Sequence, residues 1–167
     1  MRFRPLVSVV SLILFAVVIQ TTLFGRIEAI TPDLVMLTSI LFALTRIRPE
    51  TVLGLAFASG LIIDLIGSSL LGLRGIVFTI VAYIAVRTRD RADIGRVVIG
   101  IWAGLLSFIG VLGILLIGTL FGQSTLLGSG TQWEILLVPL ANMVIGMLVA
   151  PQVVRLVDGE RSAPVFV

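Results

Sequence analysis

Apolar residues fall into six runs that are separated by short polar segments. In chain order the runs are Leu6–Phe24, Leu34–Thr45, Thr51–Ile66, Gly75–Val86, Val97–Phe121 and Ile135–Val154. A helix needs about 20 residues to cross roughly 30 Å of hydrocarbon. The first, fifth and sixth runs are long enough, whereas the second and fourth have only twelve residues each. Run length alone therefore does not decide whether the short segments cross a membrane.

The arginines decide that question. If all six runs cross, Arg26 and Arg74 lie on one side of the membrane and the other ten arginines lie on the opposite side. The ten are Arg2, Arg4, Arg46, Arg48, Arg87, Arg89, Arg91, Arg96, Arg155 and Arg161. Cytoplasmic loops of membrane proteins carry an excess of basic residues. The charge pattern therefore predicts six spans with both termini in the cytoplasm.

Composition agrees with this topology and excludes several chemistries. Hydrophobic residues make up 58% of the chain and charged residues only 13%, with a mean hydropathy of +1.20. Cysteine and histidine are absent, which excludes thiolate or imidazole catalysis and argues against a zinc site. We expect an all-α membrane bundle of six helices (residues 1–157) with a short cytoplasmic tail (158–167). We expect it to have no metal, no cofactor and no nucleic-acid partner.

Three charged residues are predicted to meet near the outer face of the bundle. Asp64 lies close to the end of the third run and Arg74 lies just before the fourth, and the turn at residues 67–69 brings them back toward each other. Asp33 stands at the start of the second run. Charged groups within spans are rare and are functional candidates by default. Asp33, Asp64 and Arg74 are therefore predicted to form either a site for a partner or ligand, or a structural ion pair.

The same region holds two predicted helix starts. Thr31 is expected to be the N-cap of the second helix, with Pro32 in its first position and Asp33 in its first turn. Ser69 is expected to cap a fourth helix that begins at Leu70. Two aspartates near one membrane face are also compatible with an intramembrane aspartyl protease, in which one carboxylate acts as base and the other as acid. No sequence motif of those enzymes surrounds either aspartate.

Small residues recur at four-residue spacing within the spans, which clears one helix face for close packing. The predicted packing positions are Gly54, Ala58, Gly60, Gly100, Gly104, Gly118 and Gly122. Most of these faces are expected to pack inside the bundle, and one or two could receive a partner's helix. Asn142 follows Pro139 in the sixth run, and either Asn142 or a neighbouring helix is expected to satisfy the backbone carbonyl that the proline frees.

Two motifs carry a resemblance to a known family. The second span opens on Thr31-Pro32-Asp33-Leu34, and the third contains Gly54-Leu55-Ala56-Phe57-Ala58-Ser59-Gly60-Leu61-Ile62-Ile63-Asp64, followed by Leu70-Leu71-Gly72-Leu73. With the chain length and the six spans, these motifs resemble the bacterial rod shape-determining protein family MreD. The family often has proline where Leu71 stands, and a smaller or neutral residue where Arg74 stands.

The resemblance implies a non-enzymatic scaffold subunit of the cell-elongation machinery, which builds peptidoglycan, in the bacterial inner membrane. It implies an MreC-like single-span partner and, indirectly, an MreB-like actin homologue, a RodA-type synthase and a class B penicillin-binding protein. The MreD family is also similar in fold to the substrate-binding subunits of energy-coupling-factor transporters. A small-solute (vitamin-type) binding subunit of a membrane transporter is therefore the alternative function.

Overall fold

The computed structural model describes residues 3–24, 32–45, 47–67, 70–89, 95–123 and 131–158, and each of the six apolar runs coincides with one helix. The helices are α1 (Phe3–Ile19, continued by a π-helical turn over Gln20–Phe24), α2 (Leu34–Ala43), α3 (Pro49–Ile66), α4 (Leu73–Thr88), α5 (Gly95–Leu120) and α6 (Thr131–Asp158). The all-α prediction is thus confirmed. The predicted tail beyond Asp158 lies outside the described residues.

Three of the helices are long and apolar enough to cross a membrane. They are Pro49–Ile66, Gly95–Leu120 and the part of α6 from Ile135 to Val157. Val7–Thr22 and Leu34–Ala43 are apolar but shorter. By length and composition, these segments of the described residues indicate a membrane protein.

Successive helices run in alternating directions. The end of α1 meets the start of α2, where Gln20 accepts a hydrogen bond from the Val35 amide, and the end of α3 meets the start of α4 at Asp64 and Arg74. Gly113, near the end of α5, lies close to Val77, near the start of α4, and Gly100, near the start of α5, lies close to Met147 in α6. Helices α4, α5 and α6 are therefore antiparallel to their neighbours as well. The ends of α2, α4 and α6 consequently share one end of the bundle, which we term the arginine end.

Helix α2 forms the centre of the bundle. Eight of its ten residues are buried, and it contacts each of the other five helices. The outer helices instead expose large apolar side chains such as Phe15, Leu116 and Leu148, as expected for surfaces that face lipid. A helix that is apolar on all sides is buried in a protein core or in a membrane. Helix α2 is buried in the core of the bundle.

Both predicted helix starts differ from the observed ones. Asp33, rather than Thr31, is the N-cap of α2, because its backbone is not helical and its side chain accepts the Met36 amide hydrogen bond. Helix α4 begins at Leu73, not Leu70, because Gly72 has a left-handed backbone (φ +90°) that interrupts the helix. Thr31 and Ser69 themselves lie outside the described residues.

Candidate functional site: the Asp33–Arg74–Asp64 cluster

The fold brings Asp33, Asp64 and Arg74 together from three helices. Arg74 Nη1 lies 3.4 Å from Asp33 Oδ2, and Arg74 Nε lies 3.9 Å from Asp64 Oδ1. Asp64 and Asp33 are 3% and 8% exposed, whereas the Arg74 side chain retains 30% exposure. One guanidinium therefore lies between two buried carboxylates.

Each carboxylate also binds the start of a helix. Asp33 Oδ1 accepts the Met36 amide hydrogen bond at 2.9 Å and so caps its own helix, α2. Asp64 Oδ2 accepts from the Arg74 backbone amide at 3.0 Å, and it therefore caps α4 from the neighbouring helix α3. The first amides of a helix have no partner within the helix, so the two aspartates satisfy donors that would otherwise be buried unbonded.

Gly60 allows α3 and α4 to meet at this point. A Cβ atom on Gly60 would lie 2.6 Å from the Arg74 carbonyl carbon and from the Gly75 nitrogen. Only a residue without a side chain lets the backbone of α4 approach so closely. The approach places the first turn of α4 within hydrogen-bond distance of Asp64, one turn further along α3.

The charges of the cluster nearly cancel. Two carboxylates contribute two negative charges and Arg74 contributes one positive charge. The N-termini of α2 and α4 each add the equivalent of about half a positive charge, because peptide dipoles align along a helix. The sum is close to zero, so the cluster does not require a bound cation to balance its charge.

The Asn142 side chain connects the cluster to the two longest helices, α5 and α6. Asn142 of α6 is fully buried, and its Nδ2 donates to the Asp33 carbonyl oxygen (3.3 Å) and to Ser107 Oγ of α5 (2.9 Å). Ser107 lies twelve residues after the start of α5 and thirteen before its end, about 18 Å from either end. The start of α2 thus lies level with the middle of α5.

In the shorter helices the cluster lies at one end: Asp64 is two residues before the end of α3, and Arg74 is in the first turn of α4. Its position near the outer face of the membrane stays a prediction. The bonding of Asn142 differs from the expectation. Its amide bonds the backbone of α2 and a side chain of α5, rather than a carbonyl freed by Pro139 in its own helix.

Two further polar contacts were not expected from the sequence. Gln20, in the π-helical turn after α1, accepts the Val35 amide hydrogen bond at 3.1 Å and thereby caps α2 together with Asp33. Ser39 of α2 and Ser59 of α3 lie 3.3 Å apart in the core. In the sequence, Gln20, Ser39 and Ser59 are visible only as polar residues within apolar runs. The residue that each one bonds is seen only in the fold.

The small residues divide into two groups. Gly60, Gly100, Gly104 and Gly118 are buried. Gly60 packs against α4, and Gly100 and Gly104 admit Met143 and Met147 of α6. Gly54, Ala58 and Gly122 are exposed, so they are not among the small residues that pack inside the bundle. Gly122 follows the end of α5 with φ +82°, and the Gln123 amide bonds back to Gly118 O, so it terminates that helix. Gly54 has no atom within 4 Å of its Cβ position.

The arrangement is unlike a hydrolytic acid–base pair. Each carboxylate accepts a hydrogen bond from a helix amide and lies within 4 Å of the Arg74 guanidinium, which is the bonding of helix caps joined by an ion pair rather than of an acid and a base that share a proton. In the part of the chain that the structure describes, no group of three or more carboxylate side chains could hold a metal ion. The geometry is suited to fastening α2, α3 and α4 together.

A family comparison adds to this picture. The family model described as rod shape-determining protein MreD matches residues 1–157, which is nearly the whole chain. The chain belongs to the MreD family. No curated protein and no solved structure matches it. The resemblance seen in the two sequence motifs is therefore confirmed, whereas the similarity to energy-coupling-factor subunits stays a prediction.

Membership of the MreD family supports a role in rod-shape determination. The family is a shape-determining component of the rod-shape machinery, and it is not a known enzyme family. The three membrane-capable helices agree with a membrane location.

Proposed function

We propose that this chain is a non-enzymatic scaffold of the bacterial cell-elongation machinery, and that it binds the transmembrane helix of an MreC-like single-span protein in the inner membrane. Through that partner it acts on an MreB-like actin homologue and on a RodA-type synthase with its class B penicillin-binding protein. Membership of the MreD family is the observation that carries this proposal.

The interior of the bundle supports a scaffold more than a solute carrier. Helix α2 fills the centre, with eight of ten residues buried, and the carboxylates of Asp33 and Asp64 are bonded to helix amides and lie beside Arg74. A vitamin-type carrier requires a concave site with a few convergent polar groups aimed at the ligand. Here the two carboxylates bind helix amides and lie beside Arg74, so the cluster fastens the bundle and the partner binds elsewhere.

Co-purification separates the scaffold from the solute-binding alternative. The full-length chain is extracted in mild detergent together with an MreC-like protein expressed from the same cells, and the ratio of the two proteins is measured. A scaffold gives a stable complex with a fixed ratio and restores rod shape in cells that lack their own MreD. If the isolated chain binds a vitamin-sized ligand tightly and no MreC-like protein accompanies it, the scaffold proposal is wrong.

The orientation of the helices gives a separate prediction. Reporter fusions after Arg48, Arg91 and Arg161 should report the cytoplasm, because ten of the twelve arginines then lie on that side. Fusions near Glu28, Ser69 and Ser129 should report the exterior. A single fusion on the wrong side would contradict the six-span topology with both termini in the cytoplasm.

A further inference from the structure

A surface groove runs between α3 and α4 and ends at the arginine end of the bundle. On α3, Glu50, Gly54 and Phe57 are exposed at positions i, i+4 and i+7, which share one helix face. The Phe57 ring lies 3.3 Å from the Cβ position of Gly75 on α4. This face of α3 therefore borders α4.

The neighbouring helix exposes a matching face. Ile76, Ile80, Tyr83 and Arg87 of α4 are exposed at i, i+4, i+7 and i+11. Helices α3 and α4 are antiparallel, so one turns clockwise and the other anticlockwise when the pair is viewed from one end. Starting from the contact between the two helices, the exposed residues of α3 and those of α4 therefore lie on the same side of the pair. The exposed faces of α3 and α4 are consequently the two walls of one groove.

The contact between Gly60 and Arg74 sets the register of these walls. Six residues toward the arginine end, Gly54 lies level with Ile80. Ten residues along, Glu50 lies level with Ile84, between Tyr83 and Arg87. The groove is thus apolar along its length and carries its charged residues at one end.

Arg87 is held in place at that end by an aromatic residue. Its Nε donates to the Tyr83 hydroxyl at 3.2 Å, and its guanidinium carbon lies 5.3 Å from the centre of the Tyr83 ring. Neither Arg87 nor Glu50 forms an ion pair within the residues that the structure describes. A guanidinium has five N–H donors, so most of the donors of Arg87 remain available for a ligand.

The apolar part of the groove has open space. Nothing lies within 4 Å of the Cβ position of Gly54, while Phe57 and Ile80 are 43% and 48% exposed on either side. An exposed glycine in a helix is unfavourable relative to alanine, and no contact within the described residues explains it. At Gly54 the backbone of α3 is therefore not covered by a side chain of the groove walls.

We propose that this groove binds a phospholipid whose headgroup carries an ammonium beside its phosphate, as in phosphatidylethanolamine. Arg87, positioned by Tyr83, donates charge-assisted hydrogen bonds to the phosphate, and Glu50 accepts from the ammonium. One acyl chain lies along Gly54 between Phe57 and Ile80. Aromatic and basic side chains together are typical of the membrane interface, and the added carboxylate selects a zwitterionic headgroup over an anionic one.

Native mass spectrometry of the full-length chain in non-ionic detergent tests this assignment. The chain is titrated separately with phosphatidylethanolamine, phosphatidylglycerol, phosphatidylcholine, glycerophosphoethanolamine without acyl chains, and inorganic phosphate. Phosphatidylethanolamine should bind most tightly. Arg87→Gln and Glu50→Gln should each weaken its binding about tenfold, since each removes one charge-assisted interaction. Arg96→Gln, at an exposed arginine in the first turn of α5, is the matched control and should leave binding unchanged.

Two variants test whether the acyl chain binds in the apolar part of the groove. Gly54→Leu and Ile80→Trp fill the groove from opposite walls, and each should reduce lipid binding about tenfold while the unfolding temperature in detergent stays within a few degrees of wild type. The lipid assignment is wrong if phosphatidylglycerol binds as tightly as phosphatidylethanolamine, if Glu50→Gln has no effect, or if the headgroup alone binds equally well. It is also wrong if Gly54→Leu abolishes co-purification of an MreC-like partner and leaves lipid binding unchanged, because the groove then holds a protein helix.

Discussion

Asp64→Ala is expected to lower the amount of folded chain in the membrane strongly. The substitution removes the cap of α4, which is bonded at 3.0 Å, and leaves Arg74 with only Asp33 as a counter-charge. Losing a cap costs about 1 kcal/mol, and breaking a buried charge pair costs about 3–5 kcal/mol when the remaining charge is fully buried. Because Arg74 is partly exposed, we expect a total loss of about 2–4 kcal/mol.

Arg74→Ala should lower the amount of folded chain by a similar extent, although the backbone amide that Asp64 caps remains. Its cost comes from two buried carboxylates left without their shared guanidinium. The double variant should lose about 1 kcal/mol less than the sum of the single variants, as is typical of residues in one network. Membrane abundance by quantitative blotting and thermal unfolding in detergent measure these losses. Strictly additive losses would contradict the coupling of Asp64 to Arg74.

Gly60→Ala should lower the stability of the bundle and Gly54→Ala should raise it, although the two glycines lie six residues apart in the same helix. The added methyl group at Gly60 would lie 2.6 Å from backbone atoms of α4, whereas at Gly54 it meets open space. Overpacking costs about 1–3 kcal/mol, and the separation it forces would also lengthen the bond between Asp64 and the Arg74 amide. Gly54→Ala should instead gain up to about 1 kcal/mol from helix propensity.

The same unfolding assay serves both glycine variants, and each is the control for the other. Gly60→Ala should unfold at a lower temperature and accumulate less, and Gly54→Ala should match or exceed wild type. Equal stability of the two variants would mean that α3 and α4 do not pack through Gly60 as described.

The helices were predictable because their signal is local. Each of the six apolar runs became one helix, and the run boundaries came close to the observed ones, for example Ile66 at the end of α3. The starts of α2 and α4 were predicted less well. A cap depends on backbone conformation at single residues, and neither the non-helical backbone of Asp33 nor the left-handed backbone of Gly72 is encoded by hydrophobic periodicity.

The sequence predicts which residues form the site, but it does not predict the hydrogen bonds between them. Asp64 and Arg74 were expected to approach because a short turn joins their helices, and rare charges within spans tend to pair. That Asp64 binds the backbone amide of Arg74, or that Asn142 bonds the carbonyl of Asp33 across 109 positions of sequence, depends on how four helices pack. Side-chain pattern along one helix contains no information about that packing.

The amount of partner bound per folded chain, measured for Asp64→Asn, tests most directly whether the cluster fastens the bundle or receives the partner. Asparagine keeps an oxygen that can cap α4 but loses the charge that faces Arg74. If the cluster fastens the bundle, membrane abundance falls while each folded chain still binds as much MreC-like protein as wild type. Unchanged abundance together with loss of the complex and of rod shape would contradict the structural role and place the partner at Asp64.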